Sequence, residues 1–185
     1  MTSLPNLLTV SRILAIPVIV GTFYVDGPGA HWVACVLFGA AAITDFLDGY
    51  YARRRNAVSS LGQFLDPIAD KLLVAACLLM LAAFQRLTPV SVLPAVVILL
   101  REILVSGLRE FLAELRISMP VSRLAKWKTA FQMISLPALL VGDAAPAWLP
   151  ATAIGGVCLW GAAALTLITG WDYLRAGLKH MAASP

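Results

Sequence analysis

Long apolar runs alternate with short polar or glycine- and proline-containing segments along the whole chain. Six such runs cover roughly residues 9–25, 31–51, 64–84, 90–115, 126–141 and 148–173. Most approach the ~20 apolar residues that an α-helix needs to cross a bilayer. Turn signals separate them, such as the Gly- and Pro-rich segment 26–29. The pattern predicts an all-α integral membrane protein with six transmembrane helices and a polar loop over 56–63.

Composition supports a membrane protein built as one domain, residues 1–185. Of the 185 residues, 60% are hydrophobic and 13% are charged, whereas about a quarter are charged in a soluble domain. The N-terminus lacks a charged segment and a small-residue cleavage site, so we expect no removable signal peptide. Cys35, Cys77 and Cys158 each lie within an apolar run, and they predict no disulfide framework.

Lysine and arginine residues are divided unevenly between the two predicted membrane faces. The turns after the first, third and fifth runs carry only Arg86. The other face carries Arg12, Arg53, Arg54, Arg55, Arg109, Arg116, Arg123, Lys126, Lys128, Arg175 and Lys179. Because cytoplasmic loops are enriched in these residues, we expect both termini in the cytoplasm and the protein in the inner membrane.

Four of the ten acidic residues lie between positions 45 and 70. Asp45 and Asp48 are three residues apart near the end of the second run. Asp66 and Asp70 are four apart near the start of the third. Each spacing places its pair on one face of a helix. Such carboxylates repel unless cations bind between them, and Mg²⁺ prefers oxygen ligands. The pattern predicts a two-metal site of the kind that promotes displacement at phosphorus.

The depth of this cluster in the membrane also points to a function. Asp45 precedes Arg53 by eight residues, which is about 12 Å along a helix. A charged residue at the bilayer centre costs roughly 2.5–3.5 kcal/mol, so we expect the aspartates to line a water-filled cavity in the cytoplasmic leaflet. Gly49 and Ala52 either let helices pack closely or leave room for a bulky flat group. Arg53 lies close to the helical face of Asp45 and Asp48, which favours a phosphate contact.

One spaced signature contains all four aspartates, and it reads Asp45-x2-Asp48-Gly49-x2-Ala52-Arg53-x8-Gly62-x3-Asp66-x3-Asp70. At every fixed position it resembles the signature of the CDP-alcohol phosphotransferase family. The resemblance implies six membrane helices. It also implies transfer of a substituted phosphate from a CDP-linked donor to an alcohol, with release of CMP and dependence on two Mg²⁺ or Mn²⁺ ions.

The same resemblance implies roles for individual residues. The metal ligands would be Asp45, Asp48, Asp66 and Asp70. Asp70 would also be the general base that takes the proton of the alcohol. The residues at the CDP-linked donor would be Gly49, Ala52, Arg53, Ser59 and Gly62.

A group of cations in the fourth and fifth runs predicts an acceptor that carries its own phosphate. Arg101 and Arg109 are eight residues apart and share roughly one helical face, and Lys126 and Lys128 open the fifth run. Basic residues within a membrane are costly unless they face a polar cavity. In the alternative interpretation, Arg101 pairs with Glu102 or Asp70, and the two lysines only set the membrane orientation.

Four segments, 6–12, 101–103, 108–110 and 126–129, resemble one branch of the family in particular. That branch uses CDP-diacylglycerol as donor and the 1-hydroxyl of sn-glycerol 3-phosphate as acceptor. The resemblance implies donor contacts by Asn6, Thr9 and Arg12, a homodimer in membrane lipid, and no nucleic-acid partner. Ala125 departs from the branch, in which a glycine precedes the residue corresponding to Lys126.

Three alternatives stay open at this stage. A sister enzyme would use inositol phosphate, serine or phosphatidylglycerol as acceptor, although serine would not need a cationic pocket. A divalent-cation transporter would need polar residues through to the other membrane face, where the sequence has few. A purely structural membrane subunit does not account for the four aspartates.

Overall fold

A computed structural model describes the backbone of residues 4–55, 60–114 and 123–182. It describes the side chains of residues 8–44, 65–113, 124–175, 177 and 178. Within these ranges the chain is helical and contains no strand. The helices are α1 (Leu4–Thr22), α2 (Pro28–Arg55), α3 (Ser60–Ala83), α4 (Pro89–Glu114), α5 (Arg123–Val141) and α6 (Ala151–Ala182). A single 3₁₀ turn, Gly142–Ala144, follows α5.

Each of the six predicted runs corresponds to one helix, which confirms the all-α prediction. The predicted polar loop over 56–63 is wrong at 60–63, where α3 has already begun. The first turn of a helix needs no apolar pattern, so its polar residues concealed the start. The last helix begins at Ala151, not at Trp148, because Pro150 disfavours helical geometry in the residue before it.

The helices pack in a defined order. α6 packs against α4 and α5, α5 packs against α2, and α1 packs against α2 and α3, whereas α3 and α4 touch only briefly. The α5–α6 contact depends on Gly155, where a Cβ atom would lie 3.1 Å from the backbone nitrogen of Leu139. Ser135 also donates a hydrogen bond to the Gly155 carbonyl at 2.7 Å. Small residues allow such close approach between membrane helices.

Apolar side chains cover the outside of the bundle as well as its core. The core is built around the fully buried Phe38, Leu78 and Leu140. Many large apolar residues point outward, among them Leu14, Leu79, Leu100, Ile103 and Val157. Two described helices, Pro89–Ala113 and Ala151–Arg175, are long and apolar enough to cross a membrane. An outer surface of this kind suits lipid better than water.

Candidate active site

The first part of the site is a carboxylate on α3 that is held by α1. Asp66 Oδ1 accepts hydrogen bonds from Thr9 Oγ1 at 2.5 Å and from Arg12 Nη2 at 3.0 Å. The Arg12 side chain is 2% exposed, whereas the Asp66 side chain is 40% exposed. The ion pair therefore joins a buried cation to a carboxylate that still reaches the surface. Two donors on one oxygen fix the orientation of this carboxylate.

The other predicted metal ligands lie on α3 and α2. Asp70 is half-buried and lies one turn after Asp66 on α3. The structure places the backbone of Asp45 and Asp48 in the C-terminal part of α2, and their side chains lie outside the described set. Among the side chains that are described, no group of three or more histidine, cysteine or acidic residues could hold a metal. The four-carboxylate cluster stays a prediction.

Among the predicted donor residues, only Thr9 and Arg12 have described side chains. For five others the structure describes the backbone position alone. Gly49, Ala52 and Arg53 lie in the last turns of α2, and Gly62 lies in the first turn of α3. Asn6 lies in the first turn of α1. Ser59 lies outside the described residues. Thr9 is fully buried, and its hydroxyl is bonded to Asp66.

The residues present fit a hard divalent cation. Asp66 and Asp70 offer oxygen ligands one helical turn apart. The second aspartate pair of the sequence lies on α2, which contacts α3. Carboxylate oxygens are the ligands that Mg²⁺ and Mn²⁺ prefer.

A cavity of about 470 Å³ lies between α3 and α4, and its lining includes residues next to Asp66 and Asp70 in sequence but neither aspartate. Its lining residues are Pro67, Ile68, Lys71, Arg101, Glu102, Val105, Ser106, Arg109, Glu110 and Ala113. Arg101 and Arg109 both line it, so their predicted common face is confirmed. Lys71 directly follows Asp70 and contributes a third cation from the opposite wall, where it donates to Ser106 Oγ. The cavity combines three basic side chains with two glutamates.

Arg101, on α4, is held in place by residues of α6. Its Nη2 donates to Thr169 Oγ1 at 2.8 Å, and its guanidinium lies 5.9 Å from the ring centre of Tyr173, both on α6. A Cβ atom at Gly170 would lie 3.0 Å from Arg101 Cγ, so the glycine makes room for this side chain. The buried Nε of Arg101 has no hydrogen-bond partner among the described residues. This unused donor belongs to a side chain that borders the cavity.

The two lysines of α5 are placed differently from the arginines. Lys128 is buried and binds Glu102 Oε1, which also lies 3.7 Å from Arg101 Nη1. Lys126 is exposed. Neither lysine lines the cavity, so the structure does not bring them together with Arg101 and Arg109 there. The alternative pairing of Arg101 with Glu102 is present, and it coexists with the place of Arg101 on the cavity wall.

Three residues of this region were missed by sequence reasoning, namely Lys71, Ser106 and Arg12 as the partner of Asp66. Lys71 lies within an otherwise apolar stretch of α3. The high cost of a basic residue in a membrane would have been a usable signal for it. The Arg12–Asp66 pair has no local signal, because the two residues are on different helices.

The chain belongs to the CDP-alcohol phosphatidyltransferase family, whose model matches residues 2–168. Several relatives are named CDP-diacylglycerol–glycerol-3-phosphate 3-phosphatidyltransferase. The Rickettsia bellii protein of this name is 49% identical over 178 residues, which cover 96% of this chain and 97% of the relative. The Cereibacter sphaeroides protein is 39% identical over 214 residues and 97% of each chain. A chloroplastic/mitochondrial form from Arabidopsis thaliana is 41% identical over 85% of this chain and 60% of its own length.

Proposed function

We propose that this protein transfers the phosphatidyl group of CDP-diacylglycerol to the 1-hydroxyl of sn-glycerol 3-phosphate, with phosphatidylglycerophosphate and CMP as products. The structural observation that carries the proposal is the cavity where Arg101 and Arg109 face the α3 segment that follows Asp66. The names of relatives that match nearly the whole chain support the same reaction.

Four carboxylates would hold the metal ions, namely Asp45, Asp48, Asp66 and Asp70. When bound, two Mg²⁺ or Mn²⁺ ions would supply positive charge to the donor's diphosphate and to the departing CMP. Arg12 supports this arrangement by fixing Asp66 from the buried side. Thr9 has no exposed surface, so we propose that it serves the donor site through Asp66 and not by direct contact.

Asp70 acts as the general base. It accepts the proton of the 1-hydroxyl as the new oxygen–phosphorus bond forms and the bond from phosphorus to the CMP oxygen breaks. One Asp70 oxygen must stay available to the alcohol, because a carboxylate fully engaged by metal is a weak base. Its place one turn after Asp66, on the helix that borders the acceptor cavity, supports this role.

Arg101 and Arg109 bind the phosphate of the acceptor. Guanidinium groups bind phosphate through paired, charge-assisted hydrogen bonds, and both arginines line the cavity. Lys71 adds a third positive charge. We assign Lys128 to the positioning of Glu102 and, through it, of Arg101. A role of Lys126 at the acceptor phosphate stays a prediction from the sequence.

The remaining donor contacts follow from the family resemblance and involve Gly49, Ala52, Arg53, Ser59, Gly62 and Asn6. All six helices would cross the inner membrane, with both termini and the active site on the cytoplasmic side. The outward-facing apolar residues and the concentration of basic residues at one end support this topology. The homodimer stays a prediction.

Competition between acceptors tests the proposed reaction. Purified protein is incubated with labelled CDP-diacylglycerol and equal amounts of sn-glycerol 3-phosphate, inositol phosphate, serine and phosphatidylglycerol. We expect labelled phosphatidylglycerophosphate as the main lipid product. Preferential labelling of another lipid would assign the protein to a sister activity. Divalent-cation flux without CMP release would favour the transporter.

A further inference from the structure

A second cavity, of about 840 Å³, lies at the end of the bundle opposite the candidate active site. The turn between α3 and α4, the 3₁₀ turn after α5 and the first turns of α2 and α6 form its walls. The ionisable residues that line it are His31, Arg86 and Asp143. The nearest α3 residues that line the two cavities are Lys71 and Ala82, and eleven residues correspond to about 17 Å along a helix.

Arg86 is held at the wall of this cavity with most of its donors unused. Its guanidinium lies 4.5 Å from the ring centre of Phe23, and its Nη1 donates to the Leu140 carbonyl at 3.4 Å. Arginine has five N–H donors in its side chain. The described residues provide no other hydrogen bond or ion pair for this side chain. These two contacts hold the Arg86 side chain in position, and most of its N–H donors can still bind a ligand.

The backbone conformation of Gln85 determines where Arg86 lies. Gln85 has a φ of 56°, the left-handed geometry that usually falls to glycine at the end of a helix. The amides of Arg86 and Leu87 both donate to the Leu81 carbonyl, at 2.9 and 3.3 Å. This turn closes α3 and places Arg86 on the cavity wall.

Asp143 supplies the opposite charge in the same cavity. It is exposed, and its Oδ1 accepts a hydrogen bond from Thr152 Oγ1 at 3.4 Å. Burial lowers the pKa of the Arg86 guanidinium, and the Asp143 carboxylate partly offsets this effect. The described side chains of Arg86 and Asp143 nevertheless form no ion pair within 4.0 Å. The cavity thus presents a cation and an anion that do not bind each other.

Aromatic residues surround this end of the bundle. Tyr24, Trp32, Phe84 and Trp148 are all exposed here. Tyrosine and tryptophan are enriched where a membrane protein meets the headgroup layer. A ligand in this cavity would therefore come from the level of the lipid headgroups.

We propose that this cavity binds a zwitterionic phospholipid headgroup, with its phosphate at Arg86 and its ammonium group at Asp143. A phosphoethanolamine headgroup carries both charges and can bridge two side chains that do not reach each other. A headgroup with only negative charge would bind Arg86 but would be repelled by Asp143. The headgroup chemistry, rather than the acyl chains, determines this preference.

Native mass spectrometry of the detergent-solubilised full chain tests the proposal. The probes are short-chain phosphatidylethanolamine, short-chain phosphatidylglycerol and soluble phosphoethanolamine. We expect phosphatidylethanolamine to bind best to the wild type, and Arg86→Gln to weaken this binding about tenfold, since one charged hydrogen-bond partner is lost. Asp143→Asn should weaken phosphatidylethanolamine binding and strengthen phosphatidylglycerol binding. CMP release should not change in either variant.

Asp26→Asn is the matched control, because Asp26 is exposed at the same end and does not line the cavity. Its lipid preference should equal that of the wild type. Equal phosphatidylethanolamine binding by the wild type and Arg86→Gln would overturn the proposal, and so would a wild-type preference for phosphatidylglycerol. Equally tight binding of soluble phosphoethanolamine would overturn the lipid as the source of the ligand. Asp143→Asn changes an exposed side chain, so its result stands even where Arg86→Gln lowers stability.

Discussion

The guanidinium of Arg12 lies 3.0 Å from the Asp66 carboxylate and is almost fully buried, whereas the carboxylate is 40% exposed. The two residues are on α1 and α3, and Thr9 donates to the same carboxylate oxygen. Loss of the Arg12 charge would leave Asp66 with the Thr9 hydroxyl but without its buried cation. The pair therefore links the packing of α1 to the geometry of the proposed metal site.

We predict that Arg12→Gln lowers both stability and turnover. Loss of a charged hydrogen bond at a buried position costs about 2 kcal/mol, and Asp66 would lose its fixed orientation. Thermal unfolding in detergent and CMP release measure the two effects. Ser11→Ala is the control, since Ser11 is exposed and, among the described residues, its hydroxyl donates only to the Leu8 carbonyl of its own helix. Normal turnover of Arg12→Gln would show that the pair does not orient a catalytic group.

Asp70→Asn should abolish CMP release while the protein still folds and binds CDP-diacylglycerol. The amide has nearly the shape of the carboxylate but cannot accept the proton of the alcohol. Single-turnover release of labelled CMP, together with donor binding, provides the measurement. Asp172→Asn, at an exposed position on α6, should behave as the wild type. Normal turnover in Asp70→Asn would refute its role as base.

Arg109→Ala should raise the KM for sn-glycerol 3-phosphate about tenfold, with a smaller effect on the KM for the donor. The expected size is that of one charge-assisted hydrogen bond to phosphate. Steady-state kinetics with each substrate varied in turn separates the two constants. Arg175→Ala removes an exposed arginine from α6 and should change neither. An effect confined to the donor would mean that the acceptor cavity is misassigned.

Glu102→Gln should destabilise the protein by about 1–3 kcal/mol, because it leaves the buried Lys128 cation without a charged partner. The double variant Glu102→Gln/Lys128→Met should recover part of this loss, since it removes both charges. Thermal unfolding of the two single variants and the double variant forms a mutant cycle. Additive losses would show that the two side chains do not stabilise each other.

Exhaustive chelation should abolish CMP release, and added Mg²⁺ or Mn²⁺ should restore it. The physical reason is the repulsion between the donor's diphosphate and the proposed carboxylate cluster, which only cations relieve. Asp66→Asn should raise the metal concentration required for half-maximal rate. Full activity in the chelated protein would refute the proposed metal site.

Local patterns allowed much of this fold to be predicted, but contacts between helices could not be. Apolar runs of membrane length identified six helices, and an eight-residue spacing correctly placed Arg101 and Arg109 on one cavity wall. The contact between Lys128 and Glu102 depends on how α4 and α5 are rotated and displaced, which no residue spacing records. The first four residues of α3, 60–63, were also assigned to the loop, since a first turn carries no apolar repeat.

The partners of α4 have a consequence for how the protein is made. Arg101 and Glu102 lie on α4, but Lys128 lies on α5, and Thr169 and Tyr173 lie on α6. During synthesis α4 leaves the ribosome before either of those helices, so its charges emerge before their native neighbours have been made. Arg101 can be anchored on the cavity wall only after the final helix has been made. A nascent chain halted before Thr169 would have a fourth helix but no anchored arginine.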